Sequence, residues 1–324
     1  MPQIIKVLSI DGGGIRGIIP ALLLTEIEKR TGRYTADLFD LVAGTSTGGI
    51  LALALTKPDG GGKPAYRAEE LVSLYANEGR QIFSRTVWHR IRAVGNLLEE
   101  RYPADGLEGV LEKYFGDTRL SQALKEVVIT SYQIERRIPW FFKSRNAKRF
   151  PDYDYPMKVV ARATSAAPTY FEPLKYPADN PVQYNAWIDG GVFANNPSLC
   201  AFAEAKKVFP EAQDYLVVSL GTGELTRMIS YDDAKNWGVA GWAVPILSVV
   251  FHGASVTVDY QMKQILPPDG SVPRYYRFEV RLDKGNDDMD DASNTNLHAL
   301  VSLAEELIAS QQQDLDSLCH QLVI

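Results

Sequence analysis

The sequence predicts an α/β fold, a three-layer α/β/α arrangement with a central, mostly parallel sheet and helical cap insertions. Three observations carry that expectation. Strand-like apolar runs alternate with helix-like ones from the first residues onward, the pattern of a sheet covered on both faces. Several of those runs empty directly into glycine turns, as strands do where an open sheet presents its loops. The composition, 45% hydrophobic and 23% charged over 324 residues, suits one large core, so a single domain over residues 1–324 is expected.

Ile4 to Ile10 reads as the first strand, and it ends in Asp11-Gly12-Gly13-Gly14-Ile15-Arg16-Gly17. Ile18 to Ile27, apolar almost all round, is a buried helix; Lys29 and Arg30 complement its C-terminal dipole and Gly32 stops it. Leu41-Val42-Ala43 is a short buried strand. Gly44-Thr45-Ser46-Thr47-Gly48-Gly49 turns it into a second apolar helix, Ile50 to Leu55, which Lys57-Pro58 ends. Pro58 to Pro64 is a surface loop.

Further strands are predicted at Val127 to Ser131, Tyr184 to Ile188, Leu216 to Leu220 and Tyr275 to Val280. Two of them end in glycine turns, Asp189-Gly190-Gly191 and Gly221-Thr222-Gly223, so four such exits are expected to share one crevice. The C-terminal helix should start after a cap at Ser293 to Thr295 and run through Leu297, Leu300, Val301, Leu303, Ala304 and Leu307.

Several classes are disfavoured. A net charge of −6 gives no global attraction to nucleic acid. Cys200 and Cys319 are the only cysteines, so neither a disulfide nor a structural zinc is expected. Ile4 opens a strand with no basic leader or small-residue cleavage site before it, which reads as cytoplasmic. Trp237 to Val258 is broken by Gly238, Gly241, Pro245, His252 and Gly253, and reads as a buried or cap helix rather than a membrane span.

The chemistry lies in the glycine turns. A serine hydroxyl attacks only when a base takes its proton, and Gly44, Ser46 and Gly48 fill the G-x-S-x-G pattern that lifts a serine above a sheet. Gly12-Gly13-Gly14 offers successive N–H groups to an oxyanion. Arg16 opposes the dipole of the helix it opens, so either an anion lies nearby or it pairs with Asp11 or Asp40. The same turn satisfies G-x-G-x-x-G, yet Asp37 and Asp40 precede the second strand instead of ending it, and Ile50 stands where a phosphate-binding loop needs lysine. Four histidines, His89, His252, His298 and His320, are available as bases. The order Ser46, Asp189, His298 would mimic a triad, but His298 sits in a helical pattern, which favours Asp189 itself as the base.

These motifs, in this order, resemble the patatin-like phospholipase family, lipid acyl hydrolases similar in their core to cytosolic phospholipase A2. The resemblance covers residues 4–225. It includes the two turns at Asp11 to Gly17 and Phe39 to Gly49, Ala163 to Phe171, Asp189-Gly190-Gly191-Val192-Phe193-Ala194-Asn195-Asn196-Pro197, and Ser219 to Gly223. It implies that Ser46 is the nucleophile and Asp189 the general base of a dyad. Gly12, Gly13, Gly14 and Arg16 would form the oxyanion hole, with no metal and no cofactor. The implied substrate is a phospholipid or other acyl-ester lipid, met at a membrane surface contacted peripherally.

Two alternatives stay open: a triad esterase of small soluble esters working through His298, and a non-catalytic nucleotide- or lipid-binding module. Residues 226–324 form a variable cap and C-terminal helical part where the resemblance is weak. The acidic run Asp283 to Asp291 lacks calcium-loop spacing and reads as a solvated loop. Arg80 to Leu98 has the composition of a basic amphipathic helix, either lying on a bilayer or packed on the sheet as a cap. Ile138 to Lys143 and Trp237 to Val250 read as acyl-chain tunnel or core.

Overall fold

A computed structural model describes residues 4–82, 102–177, 179–180, 182–243 and 245–324. The strands are β1 (Ile4–Ile10), β2 (Leu41–Gly44), β3 (Glu126–Gln133), β4 (Ile138–Lys143), β5 (Leu174–Tyr176), β6 (Asn185–Asp189), β7 (Asp214–Leu220) and β8 (Tyr275–Phe278). The helices of eight or more described residues are α1 (Ile18–Thr31), α2 (Thr47–Thr56), α3 (Ala68–Ile82), α4 (Ala104–Phe115), α5 (Met157–Thr164), α6 (Ser198–Val208), α7 (Pro245–Ile265), α8 (Asn294–Ser310) and α9 (Gln312–Val323).

One sheet runs in the order β5-β6-β3-β2-β1-β7-β8, with β4 on β3 outside that path. The β3–β2–β1–β7–β8 stretch is parallel throughout, while β4 and β6 are antiparallel to β3 and β5 is antiparallel to β6. The core alternates across it. Ile5 and Val7 of β1 pack on one face with Phe202 of α6 and Met262 of α7. Leu8 and Ile10 pack on the other with α1, α2 and α3. Helix α1 is apolar nearly all round because α3, α8 and α9 cover the sides the sheet leaves open. Gly32, at φ 69°, takes the left-handed cap that ends it, and the Ser293 hydroxyl caps α8 by accepting from the Asn296 N–H at 3.2 Å.

β3 carries the feature that places the site. Its residues 128–133 pair with β4, which occupies one edge. The other edge is shared by β2, paired with residues 126–129, and β6, paired with residues 131–133 in the opposite direction. The carboxyl ends of β2 and β6 therefore meet head to head at Thr130. The Thr130 side chain hydrogen-bonds Thr45 Oγ1 at 2.7 Å, and its carbonyl accepts from Thr164 Oγ1 at 2.7 Å.

Some expectations change. Ile138 to Lys143, read as tunnel or core, is the edge strand β4 of a hairpin with β3, where pairing satisfies its backbone groups and Phe142 joins the core. The described residues of 237–250 add nothing to the buried core: Val239–Trp242 is a short exposed helix, and α7 begins at Pro245, with Trp237, Leu247 and Val249 lining a cleft. No helix among the described residues is long and apolar enough to cross a membrane. Most of the Arg80 to Leu98 segment lies outside the described residues. Past residue 225 the chain still belongs to the sheet, through β8 beside β7.

Gly48 lies hard against the backbone of β1, since a Cβ there would stand 2.2 Å from the Ile10 carbonyl oxygen. Gly48→Ala is expected to destabilise the protein by about 1–3 kcal/mol, the usual cost of overpacking. A Cβ at Gly60 meets nothing within 4 Å, so Gly60→Ala should leave the melting temperature nearly unchanged. Thermal melts of the two variants check both.

Candidate active site

β2 delivers Ser46 at φ 54°, ψ −124°, a left-handed conformation that a non-glycine residue holds only under constraint. The constraint is local. A Cβ at Gly44 would lie 2.1 Å from the Gly48 carbonyl oxygen, so only glycines let the strand, turn and helix approach this closely. Thr164 Oγ1 accepts from the Ser46 N–H at 2.8 Å and fixes the turn to β3. The helix that follows, α2, aims its N-terminus at the serine.

Of the four residues expected in the oxyanion hole, the geometry treats two differently from the other two. Gly13 and Gly14 line the cavity that holds Ser46, and their N–H groups donate to no other described residue. The Thr47 N–H is likewise uncommitted. Gly12 lies close by, since a Cβ added to it would stand 3.3 Å from that of Ser46, but its N–H is taken by the Asn195 carbonyl at 3.0 Å. Arg16 braces the loop instead of entering the cavity: Nε donates to the Gly13 carbonyl and Nη1 to the Asp287 carbonyl, each at 3.2 Å. Neither carboxylate expected to neutralise it does so. Asp11 pairs with Arg277, and Asp40 accepts from the Lys6 N–H. Burial lowers the Arg16 pKa against the pull of Glu279 and Asp287, and its guanidinium borders the adjoining cleft.

β6 ends at Asp189, which is fully buried. Oδ1 accepts from the Gly191 N–H at 2.7 Å, while Oδ2 has no hydrogen-bond partner among the described residues. Desolvation raises the Asp189 pKa to about 7, opposed by the Gly191 N–H and the Ser46 hydroxyl. Ser46 thus stands near enough to favour the charged carboxylate without meeting the distance and angle of a full hydrogen bond, a looseness common before substrate closes on a site.

The first glycine loop is tied down by groups far along the chain. Arg277 of β8 bonds Asp11 Oδ2 and Ser219 Oγ, each at 2.7 Å, and also Glu279, whose Oε1 accepts from the Gly223 N–H at 2.8 Å. Burial works against the Arg277 charge, but Asp11 and Glu279 outweigh it; burial raises Asp11 to about 7 against the pull of Arg277. Sequence reasoning did not single out Arg277. Its only local signal is the spacing Arg277-Phe278-Glu279, which puts both charges on one face of a strand. The acidic run expected to be solvated also presses on this loop: the Met289 carbonyl accepts from the Ile15 N–H at 2.9 Å. No group of three or more ligand side chains able to hold a metal occurs among the described residues.

Ser46 and Asp189 border a cavity of about 50 Å³ with apolar walls that include Ile50, Leu74 and Phe171. Tyr170, Phe251 and Met289 line both this cavity and an adjoining cleft of about 980 Å³ that also contains Arg16, Asn195, His252 and Arg277. No described histidine lines the cavity with Ser46. His252 faces the cleft, His298 and His320 are exposed on α8 and α9, and His89 lies outside the described residues.

A family model described as patatin-like phospholipase matches residues 8–201. Patatin-like protein 4 of Arabidopsis thaliana is 32% identical over 98% of this chain and 87% of its own length. A protein of Solanum tuberosum named "Probable inactive patatin-3-Kuras 1" is 32% identical over 94% of this chain and 87% of its own. Among solved structures, VipD from Legionella pneumophila superposes with a TM-score of 0.38 at 12% identity, over 94% of this chain and 67% of that one.

Because the Asp189 pKa is higher folded than unfolded, the folded state binds the extra proton, and the cost of the buried charge is absent below the ordinary aspartate value of 3.8 and complete above about 7. Asp189→Asn removes that charge. It should raise the melting temperature at pH 8, where the penalty is on the order of 4 kcal/mol, and leave it nearly unchanged at pH 4. Melts at the two pH values check this.

Proposed function

The chain belongs to the patatin-like phospholipase family, whose members are lipid acyl hydrolases acting on carboxylic esters, and from that premise we propose that it cleaves fatty-acyl esters of glycerophospholipids through a Ser46–Asp189 dyad. One observation carries this reading: a buried aspartate with an unpartnered oxygen faces a serine held on a strained turn, inside an apolar cavity. Membership alone does not fix activity, since one relative above carries the word inactive in its name.

In the proposed reaction Asp189 takes the Ser46 hydroxyl proton as Oγ attacks the ester carbonyl carbon. The oxyanion that forms meets the N–H groups of Gly13, Gly14 and Thr47, each such donor supplying about 3 kcal/mol of transition-state stabilisation. The carbonyl re-forms, the C–O bond to the leaving alcohol breaks, and Asp189 passes its proton to that alcohol. Water then attacks the acyl-enzyme, giving its proton to Asp189; the acyl C–Oγ bond breaks, Asp189 returns the proton to Ser46 Oγ, and the fatty acid leaves. A base with a pKa near 7 suits these exchanges at neutral pH, and no histidine is required. The acyl chain is read into the apolar cavity and the headgroup into the cleft. There Arg16, whose donors meet carbonyl oxygens alone among the described residues, would gain a charged partner from a phosphate.

The triad reading asks His298 to reach the serine, and its exposed place on α8 does not favour it. With phosphatidylcholine vesicles and a fluorophosphonate probe, wild type should release fatty acid and gain one adduct by intact mass. Ser46→Ala should lose both, and Asp189→Asn should lose lipolysis by at least about 10³-fold, while His298→Ala behaves as wild type. Labelling or lipolysis that survives Ser46→Ala contradicts the reading.

A further inference from the structure

More than half of the large apolar side chains exposed among the described residues fall between residues 228 and 265. They are organised. Along α7, Ile246, Val249, Val250, Val256 and Tyr260 recur at spacings of three, four and six, which at 100° per residue puts them on one face. All five are exposed, Val256 at 51% and Tyr260 at 66%. The opposite face carries Phe251 and Met262, both buried. Between the two, Ser248, His252, Asp259 and Lys263 face the cleft.

A surface helix ordinarily turns a polar face to water; one that is apolar on both sides lacks a partner for the second. Just ahead of α7, Val239 at 93% and Met228 at 83% extend the same character around the cleft. Met228, Val249 and Val256 border the cleft itself, and Phe251, Tyr170 and Met289 link that cleft to the cavity of Ser46. The apolar stripe is therefore the rim of the route to the serine.

We propose that the outer face of α7, with Val239, is the surface by which this protein seats on a lipid bilayer, so that an acyl ester passes from the membrane into the cleft without crossing water. The inference rests on the lipid-hydrolase reading for its occupant: a rim continuous with a lipid site fits the lipid surface that supplies the substrate. The side chains project singly from a helix and a short turn, a shape suited to insertion among acyl chains at the interface. With a net charge of −6 the chain gains nothing overall from an anionic surface, so adsorption is driven by apolar burial and is insensitive to salt.

The test uses the full chain, wild type and a Val239→Glu, Ile246→Glu, Val250→Glu variant; none of these three side chains lines the cleft or the cavity. Three quantities are read: sedimentation with phosphatidylcholine vesicles at low and high salt, hydrolysis of a soluble short-chain ester, and oligomeric state by light scattering. Wild type should sediment with vesicles at both salt concentrations, and the variant should partition at least about tenfold less while turning over the soluble ester like wild type. Equal vesicle binding by the two proteins overturns the proposal. So does failure of wild type to bind, or a wild-type dimer that the substitutions dissociate without loss of vesicle binding, which would make the face a contact between copies. If wild type binds vesicles and the variant does not, yet neither cleaves the soluble ester, the hydrolase reading fails while the docking surface stands.

Discussion

Along one edge of β3, β2 and β6 run toward each other and end on either side of Thr130, and that collision decides where Ser46 and Asp189 can be. In a fully parallel sheet every carboxyl end would point the same way from neighbouring positions. Here the antiparallel β6 brings its last residue to the end of β2, and Thr130 joins both turns. Its hydroxyl bonds Thr45, and a Cβ on Gly190 would sit 2.1 Å from it. The serine and the aspartate thus belong to two different strand exits held side by side along a third strand.

Burial then gives the pair its chemistry. Two aspartates in this region, Asp11 and Asp189, are raised to about 7 by desolvation, but their surroundings differ. Asp11 is countered by the Arg277 guanidinium and serves as an anchor for the glycine loop. Asp189 has, among the described residues, no cation beside it but the Gly191 N–H and the nearby serine hydroxyl, so its negative charge is held by weak dipoles and a proton is readily accepted. The same desolvation that makes it a stronger base makes the folded protein less stable at alkaline pH, an instance of stability set against activity.

What could be read from the sequence was local. β1, β2, α1, α2 and the Ser293 cap follow from apolar runs bounded by glycine, proline or a capping serine, all signals within a few residues. The glycine pattern around Ser46 is legible for the same reason: Gly44 and Gly48 collide with backbone only a turn away or on the adjacent strand. β4 and β5 escaped because a short strand is defined by what it pairs with. The donor assignments of the glycine loop escaped too. Gly12 spends its N–H on Asn195, Arg16 braces Gly13 and Asp287, and Arg277 reaches Asp11, contacts separated by up to 271 residues that no window of sequence contains. The segment Trp237 to Val258, read as a buried or cap helix, fits the cap: α7 borders the cleft, and much of its apolar surface faces outward instead of into the core.

The chemistry of the site turns on an aspartate that exchanges its proton near neutrality. Its most direct measurement is a pH titration of ¹³C-carboxyl-labelled aspartates by NMR, with Asp189→Asn to assign the signal of Asp189. The account predicts a resonance with a midpoint near 7 that vanishes in Asp189→Asn and moves to higher pH in Ser46→Ala, where the hydroxyl that favours the charged form is gone. An Asp189 signal that titrates near the ordinary aspartate value of 3.8, indifferent to Ser46, would contradict it.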